Sequence, residues 1–547
     1  MRCARFGRKC GGYEIDKPAE EPKPVAAPTE RTLVPRFVSA GPSTQLFENE
    51  QEFSYFRHYC DEMVANLAGA FELPIWSRVI LQASHDQAFI RHAVIALGSL
   101  SKSSSLELTN GSQCSSPGEL VYPDSPKMDE NFVLQHYSKF LQGSRKALTS
   151  GHQGQRMALI VCLLIICVEG LQWHHRSALK HLTSGIDLLD EWISSQSEVP
   201  ALPGINSPQP DVVEDEIVQQ FRMLELEASV LYDPKPREYH ERLRRDGNDT
   251  INQMPESFTS THEARQFLEL IMRRSHHFLG TVIPQKPSPS SLSQLNPETQ
   301  SFVVSFNTFE TFEGSIQPLQ FEQERYASEN RRWNTAFQPL FESRTPQHRD
   351  FLTAQLLKIR SRVLGILLEG ELSTTEMVYD SFLPEFNEIL TLAKLFFQHP
   401  CADKILPEGS YSSNAGLIFP LRIVADRSRD RAMRREAIGL LKSRVWRESS
   451  FWSTSTAQIS EWLMEIEEEG VETEYIPEWA RARLVQLEFD EVRRVSVKCV
   501  RGVGDRQEVR EASWGWGFSS SAGSVRSDSV NGGTPRSVAT FGSDASS

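Results

Sequence analysis

The sequence predicts an all-α protein: an irregular array of antiparallel helical hairpins, with a disordered N-terminal linker, loops and C-terminal tail. Three observations lead there. Apolar residues recur at steps of three and four over most of the 547 residues. Met157 to Val168 is twelve residues without a charge, bounded by Arg156 and Glu169. A bilayer span takes roughly 17–25 residues, so this run reads as a short helix buried on all sides. Strand signals are weak throughout, and no fixed-period repeat is sharp enough for a named solenoid.

Composition narrows the function classes. With 39% hydrophobic and 24% charged residues the chain has the make-up of an ordinary soluble protein. A formal charge of -14 argues against non-specific binding of nucleic acid through a general positive field, so any DNA contact needs a locally basic segment. Arg2, Arg5, Arg8 and Lys9, ahead of Glu14, form one. Eight cysteines in so long a chain, with no apolar leader in MRCARFGRKC, point to free thiols in a reducing compartment. No membrane contact is expected.

In chain order, residues 1–17 are basic and carry Cys3 and Cys10. Residues 18–47 hold Pro18, Pro22, Pro24, Pro28, Pro35 and Pro42 and read as a linker. Residues 48–495 carry the helical patterns. Phe53, Phe56, Tyr59, Met63 and Leu67 form one stripe and Ile90, Val94 and Leu97 another. Ser101 to Asp129 reads as a surface loop, and Val133, Tyr137, Phe140 and Leu148 as a helix feeding the centre. That centre is Met157 to Trp192, a buried helix, a turn at Gly170–Trp173 and an amphipathic helix, hence a helical hairpin. Helices follow at Ile217–Leu231, broken by Pro234 and Pro236, and at Phe267–Phe278, ended by Pro284. Phe302, Phe306, Phe309, Trp333, Phe337 and Phe341 are expected core anchors. Leu352, Leu356, Ile359, Val363 and Ile366 make a clean stripe, and Met377 to Phe397 continues the array. Residues 496–547, from which Trp514 on is Ser/Gly-rich, are expected to be mostly a disordered tail.

The N-terminal GRKCGGY resembles the end of the fungal-type binuclear zinc cluster, in which six cysteines hold two zinc ions. Cys3 and Cys10 fit the family's final C-x6-C; the other four cysteines would lie before Met1. FRHYCDEMVANLAGAF, ILQASHDQAFIRHAVIALGSL and CLLIICVEGLQWHHRSALKHLTSGIDLLDEW resemble, in order, blocks of the fungal-specific transcription factor regulatory domain. GLIFPLRIVADRSRDRAMRREAIGLL and EWLMEIEEEG resemble its closing blocks. The resemblance implies a nuclear fungal zinc-cluster transcription factor whose residues 48–495 are the regulatory body, with DNA and transcriptional proteins as partners. It makes Cys3 and Cys10 the last two zinc ligands, and Arg8 and Lys9 contacts to the DNA backbone, provided the missing cysteines exist. Two thiols cannot close a zinc site that needs about four ligands, so the chain as given should hold no zinc cluster. Either the start codon lies inside the real gene or the module has been lost. The alternative is an all-helical interaction regulator without DNA or zinc binding. Oligomeric state is open, although the linker carries no heptad repeat.

No catalytic motif accompanies these blocks: GxSxG, HExxH, GxxxxGK[ST] and GxGxxG after a strand are all missing, so no enzyme is expected. A deep cleft ringed by converging ionisable groups would speak against that. His174 and His181 stand two helical turns apart, roughly 10 Å, too far to share an ion. With His175 they are given surface or capping roles. His276 and His277 have no third partner near in sequence, and Cys162 and Cys167 read as inert core thiols. In Arg422 to Arg435 the acids Asp426 and Asp430 alternate with arginines, which predicts ion pairs along an exposed helix face.

Overall fold

Helix follows helix from Glu50 to Glu468. The computed structural model describes residues 46–71, 73–111, 130–149, 154–197, 200, 202–229, 235–282, 302–305, 316–370, 372–373, 375–413, 416–449, 451–489, 494–502 and 507–515. Two compact units divide the chain: Met1–Glu50, of which residues 46–50 are described, and Gln51–Ser547, which carries the helices and sheets.

Helices α1 (Glu50–His58) and α2 (Val64–Ala68) are joined by a π-turn over Tyr59–Met63, and a second π-turn at Ile75–Val79 leads into α3 (Ile80–Asp86). The next pair is α4 (Ala88–Gly111) and α5 (Glu130–Thr149). The central hairpin is α6 (Gln155–Leu171) with α7 (His175–Ser195). Then come α8 (Asp215–Ser229), the short α9 (Arg237–Leu243) and α10 (Asn248–Asn252), and the long α11 (Thr261–Val282), α12 (Ile316–Ser343) and α13 (Phe351–Gly370). A 3-10 turn over Glu376–Phe382 enters α14 (Leu383–Gln398). The series closes with α15 (Ala402–Ile405), α16 (Ile418–Arg427), α17 (Arg431–Lys442) and α18 (Ser453–Glu468).

Neighbours in sequence are mostly neighbours in space. α4 packs on α5 and α6, α6 on α7, α7 on α8, α8 on α11, α11 on α12 and α13, α13 on α14 and α16, and α16 on α17 and α18. This is the stack of helical hairpins that the apolar periodicity predicts. α6 is buried from Leu159 to Val161 and from Leu163 to Val168, on every side, as its uncharged sequence requires. The turn after it is tight: Trp173 sits at φ 71°, in the left-handed region that non-glycine residues rarely enter. Glycine permits the closest crossings. A Cβ on Gly98 of α4 would lie 2.1 Å from the Tyr55 carbonyl oxygen of α1, and one on Gly185 of α7 would lie 2.4 Å from the Phe221 ring of α8.

Two small sheets depart from the all-helical expectation. β2 (Tyr411–Ser412), β3 (Arg447–Glu448) and β4 (Phe451–Trp452) form the first. The second is antiparallel, with β1 (Phe302–Ser305) beside β5 (Ala482–Phe489), then β6 (Arg494–Arg501) and β7 (Glu508–Gly515). The first part of the expected tail is therefore strand, to Arg501 and again over Glu508–Gly515; residues 503–506 and 516–547 lie outside the described residues. The cause is a period of two. Val495, Val497 and Cys499 of β6 turn to one face and bury against Trp462, Leu463 and Ile466 of α18, making a second, separate core. Phe302, expected as a core anchor, lies in β1, and Phe306 and Phe309 lie outside the described residues. Trp333 and Phe337 are fully buried as expected. The expected loop from Ser101 also starts late, because α4 continues to Gly111 through the helix formers Lys102, Leu106 and Glu107.

Candidate functional site

A cavity of roughly 150 Å³ opens between α8, α11, α13 and the start of α16. That is about the size of an engineered cavity that takes up benzene. Its wall is mainly apolar, with Met223, Leu270, Val363, Leu364, Ile418 and Phe451. The charged part comes from mixed helix faces. On α11 the stripe Phe267, Leu268, Ile271 and Phe278 goes to the core, while Gln266, Glu269, Arg273 and His276, at steps of three and four, turn to the cavity.

Arg273 is 3% exposed. Its Nη2 donates to Asp246 Oδ2 at 2.7 Å and to the Gly204 carbonyl at 3.1 Å. Its Nη1 is buried and makes no hydrogen bond. Burial, with Arg222 nearby, lowers its pKa from the usual arginine value. Burial pushes Asp246 the other way, but Arg273 and Arg222 outweigh it and hold that carboxyl below the ordinary range. Arg222 donates to Asp190 Oδ1 at 2.7 Å and to Glu225 at 3.2 Å, and the Tyr239 hydroxyl lies within hydrogen-bond distance of both acids, with one proton to donate between them. Arg360 lies 4.4 Å from the Phe71 ring centre and 3.9 Å from Glu269 Oε1.

On the opposite wall Glu448 is 2% exposed. Its carboxylate accepts the backbone N–H groups of Gly416, Leu417 and Ile418, at 2.8, 2.9 and 3.0 Å, and the Trp446 indole N–H at 2.8 Å. Burial raises its pKa against the pull of these four donors. The side chain thereby caps the N-terminus of α16, where the free N–H groups of a helix need an acceptor. The cleft is thus ringed by ionisable groups, of which Arg222, Arg273 and Arg360 are paired with carboxylates and Glu448 serves as a cap.

The residues singled out in the sequence are placed as follows. Cys3, Arg8, Lys9 and Cys10 lie outside the described residues. His174, exposed at the start of α7, binds Glu169 Oε2 at 2.8 Å. His175 is buried, its pKa pushed down to about 3 by burial, then by Arg447 and His174. His181 is half-buried, 
and burial lowers its pKa. His277 does have a partner, contributed by a distant segment: its Nδ1 lies 3.0 Å from His240 Nδ1 of α9. Cys162 and Cys167 sit in α6 with thiols pushed up by burial, Cys167 to about 12.

Within Arg422–Arg435 the pair Arg422–Asp426 forms at 3.1 Å as the spacing predicts. The rest differs from an exposed face. Arg434 is fully buried on Glu467, Arg427 reaches Glu376, Arg429 reaches Asp380, and Asp430 caps α17 by accepting the Met433 N–H. These arginines bind other elements together, which burial tolerates because each is matched by a carboxylate.

Fold and cavity define an all-α body of stacked hairpins, closed at its C-terminal end by a small antiparallel sheet, with a charged-rim apolar chamber inside. The chain is similar to the Aspercryptin biosynthesis cluster-specific transcription regulator atnN of Emericella nidulans, 23% identical over 207 residues. That match covers 34% of this chain and 31% of the relative, so it spans about a third of the relative's length. No protein-family model and no solved structure matches the chain. No described helix is long and apolar enough to cross a membrane.

Proposed function

We propose that this chain is a fungal transcription regulator, nuclear and non-enzymatic, whose helical body responds to a small molecule held between α8, α11, α13 and α16. The regulator reading rests on the similarity to a fungal cluster-specific regulator and on the sequence blocks of the regulatory domain. The ligand reading rests on one observation: a buried Arg273 with an unpartnered Nη1 in the wall of an apolar chamber. A buried donor without an acceptor is costly, roughly 1–3 kcal/mol, and an anionic group on a compact apolar molecule relieves it. An aromatic or short-chain carboxylate of benzene-like size has that chemistry.

In this reading Cys3 and Cys10 are the last two ligands of a six-cysteine zinc cluster, and Arg8 and Lys9 touch DNA phosphates. That part requires four more cysteines with the family's spacing encoded upstream of Met1, and translating the upstream frame tests it. The net charge of -14 favours a second reading, an interaction regulator that touches no DNA.

The body is tested by tethering the full chain to a foreign DNA-binding domain and following a reporter gene with and without a panel of small carboxylates. Transcription should change on tethering, and an active carboxylate should lose its effect in Arg273→Gln. A reporter indifferent to the tethered chain under every condition would remove the regulator reading. A response untouched by Arg273→Gln would remove only the chamber from it.

A further inference from the structure

Away from the chamber, α1, α4 and α5 bring Glu52, His92 and His136 together. Each offers one ligand atom, and these atoms lie within 4.8 Å of one another; among the described residues this is the group of three such donors that converges. His92 Nδ1 is 3.0 Å from His136 Nδ1, and His136 Nε2 is 3.6 Å from Glu52 Oε1. Glu52 and His136 are each 2% exposed. The Phe132 ring lies 4.3 Å from the His136 ring, and Tyr55 lies 5.1 Å from Phe132, so an aromatic layer fixes the imidazole plane.

Two facing Nδ1 atoms cannot both carry a proton, so at least one presents a lone pair. A metal ion uses two such lone pairs at once. Around zinc, with bonds of ~2.0–2.1 Å, tetrahedral ligands stand ~3.3 Å apart, and each of the two separations, 3.0 Å at His136 Nδ1 and 3.6 Å at His136 Nε2, is close to that value, although one ion uses only one of them. An ion takes one of the two His136 nitrogens; the three donor atoms already lie within 4.8 Å of one another, at most about 1.5 Å wider than the tetrahedral spacing, which is within reach of a rotamer change. The buried carboxylate also gains a divalent charge to oppose its own. Two imidazoles and one carboxylate suit zinc and its transition-metal neighbours, with a fourth position left for water.

We infer that Glu52, His92 and His136 form a site for one divalent transition-metal ion, zinc foremost, which pins α1 to the α4–α5 pair. The site is independent of the terminal cysteines. It uses nitrogen and oxygen donors, and its first ligand lies on the helix that follows the proline-rich linker. Metal bound there fixes the entry of the chain into the helical body, which makes the body's stability depend on zinc.

The test uses the full chain carrying Cys3→Ser and Cys10→Ser, stripped with a chelator and titrated with zinc chloride. One zinc per chain should bind, and the unfolding midpoint should rise with it. Cobalt in its place should give ligand-field bands without thiolate charge transfer. His92→Gln and Glu52→Gln should each weaken binding by more than the ~10–100-fold that loss of an outer partner costs, with helical circular dichroism unchanged. No zinc uptake by the parent chain would overturn the inference, as would equal uptake in both variants, or a cobalt spectrum dominated by thiolate. If a variant fails to fold, the parent chain's stoichiometry and cobalt spectrum decide.

Discussion

The guanidinium of Arg447 lies 4.7 Å from the ring centre of Trp173, joining β3 to the turn of the central hairpin. The same side chain donates to the Gly170 carbonyl at 2.6 Å and to the Ser449 carbonyl at 2.9 Å, and lies 5.0 Å from the Tyr411 ring. Trp173 in turn stacks on Trp452 of β4, with ring centres 5.5 Å apart and planes 8° from parallel. One buried arginine thus offsets the cost of a turn at positive φ. Replacing it with methionine removes a donor from the Ser449 carbonyl and leaves the Gly170 carbonyl to the Trp173 N–H, and should destabilise the protein by about 1–3 kcal/mol. Urea unfolding followed by tryptophan fluorescence reads this directly. Arg447→Lys should recover only part, because an ammonium cannot serve both carbonyls and a ring face in one plane.

His175 gives the same turn a pH dependence. Its folded pKa, about 3, lies well below the ordinary value of 6.5. Between those limits the unfolded chain binds a proton that the folded chain refuses. The stability this group contributes is therefore complete above pH 6.5 and is lost as pH falls toward 3, with a slope of at most ~1.4 kcal/mol per pH unit. Urea midpoints measured from pH 7 down to 4 should fall less steeply in His175→Gln than in the native chain. Parallel curves would mean that other groups govern the acid limb.

Glu376 acts further down the scale. Burial raises its pKa, but Arg427, Arg481 and Arg483 outweigh that and hold the carboxyl below the ordinary value of 4.5. Its contribution is present above pH 4.5 and disappears as pH drops through the lowered folded value. Glu376→Gln should weaken the protein at neutral pH, because Arg427 loses its carboxylate while Arg481 keeps Glu467 and Arg483 keeps Glu478, and the difference from the native chain should shrink below pH 4.5. Paired unfolding curves at pH 7 and pH 3.5 test this.

Gly98 decides how closely α1 approaches α4. With Tyr55 O 2.1 Å from where a Cβ would stand, and backbone unable to step aside cheaply, Gly98→Ala should cost about 1–3 kcal/mol. Because Glu52 rides on α1 and His92 on α4, the same change should weaken zinc binding without touching a ligand. A calorimetric titration beside the melting curve separates the two effects.

The second core predicts its own failure. Val497 is 3% exposed between the sheet and α18. Val497→Asp buries a carboxylate against Trp462 and should cost roughly 3 kcal/mol or more, and a chain ended at residue 481 should expose that face and aggregate. Sedimentation of the two variants beside the native chain shows it.

What could be read in advance follows from how locally each feature is encoded. The Met157–Trp192 hairpin was legible because an uncharged run and an amphipathic stripe each fit inside one helix. Val495, Val497 and Cys499 alternate plainly enough for a strand, but they sit beside a Ser/Gly-rich stretch whose composition suggests a tail. The chamber was not legible. Gln266, Glu269, Arg273 and His276 read as an ordinary solvent face until α8 and α13 close over them. Glu52, His92 and His136 come from three helices with no shared motif, so no spacing rule connects them. His240 and His277 illustrate the same limit: adjacency in sequence to His276 says nothing about a partner on α9.

The pairing of β1 with β5 sets a timetable for biosynthesis. Phe302 is registered against Phe489, so the strand that emerges mid-chain has no neighbour until the C-terminal strands leave the ribosome. At ~5–20 residues per second that delay is roughly 10–40 s, long enough for chaperones to meet an unpaired edge on every newly made molecule.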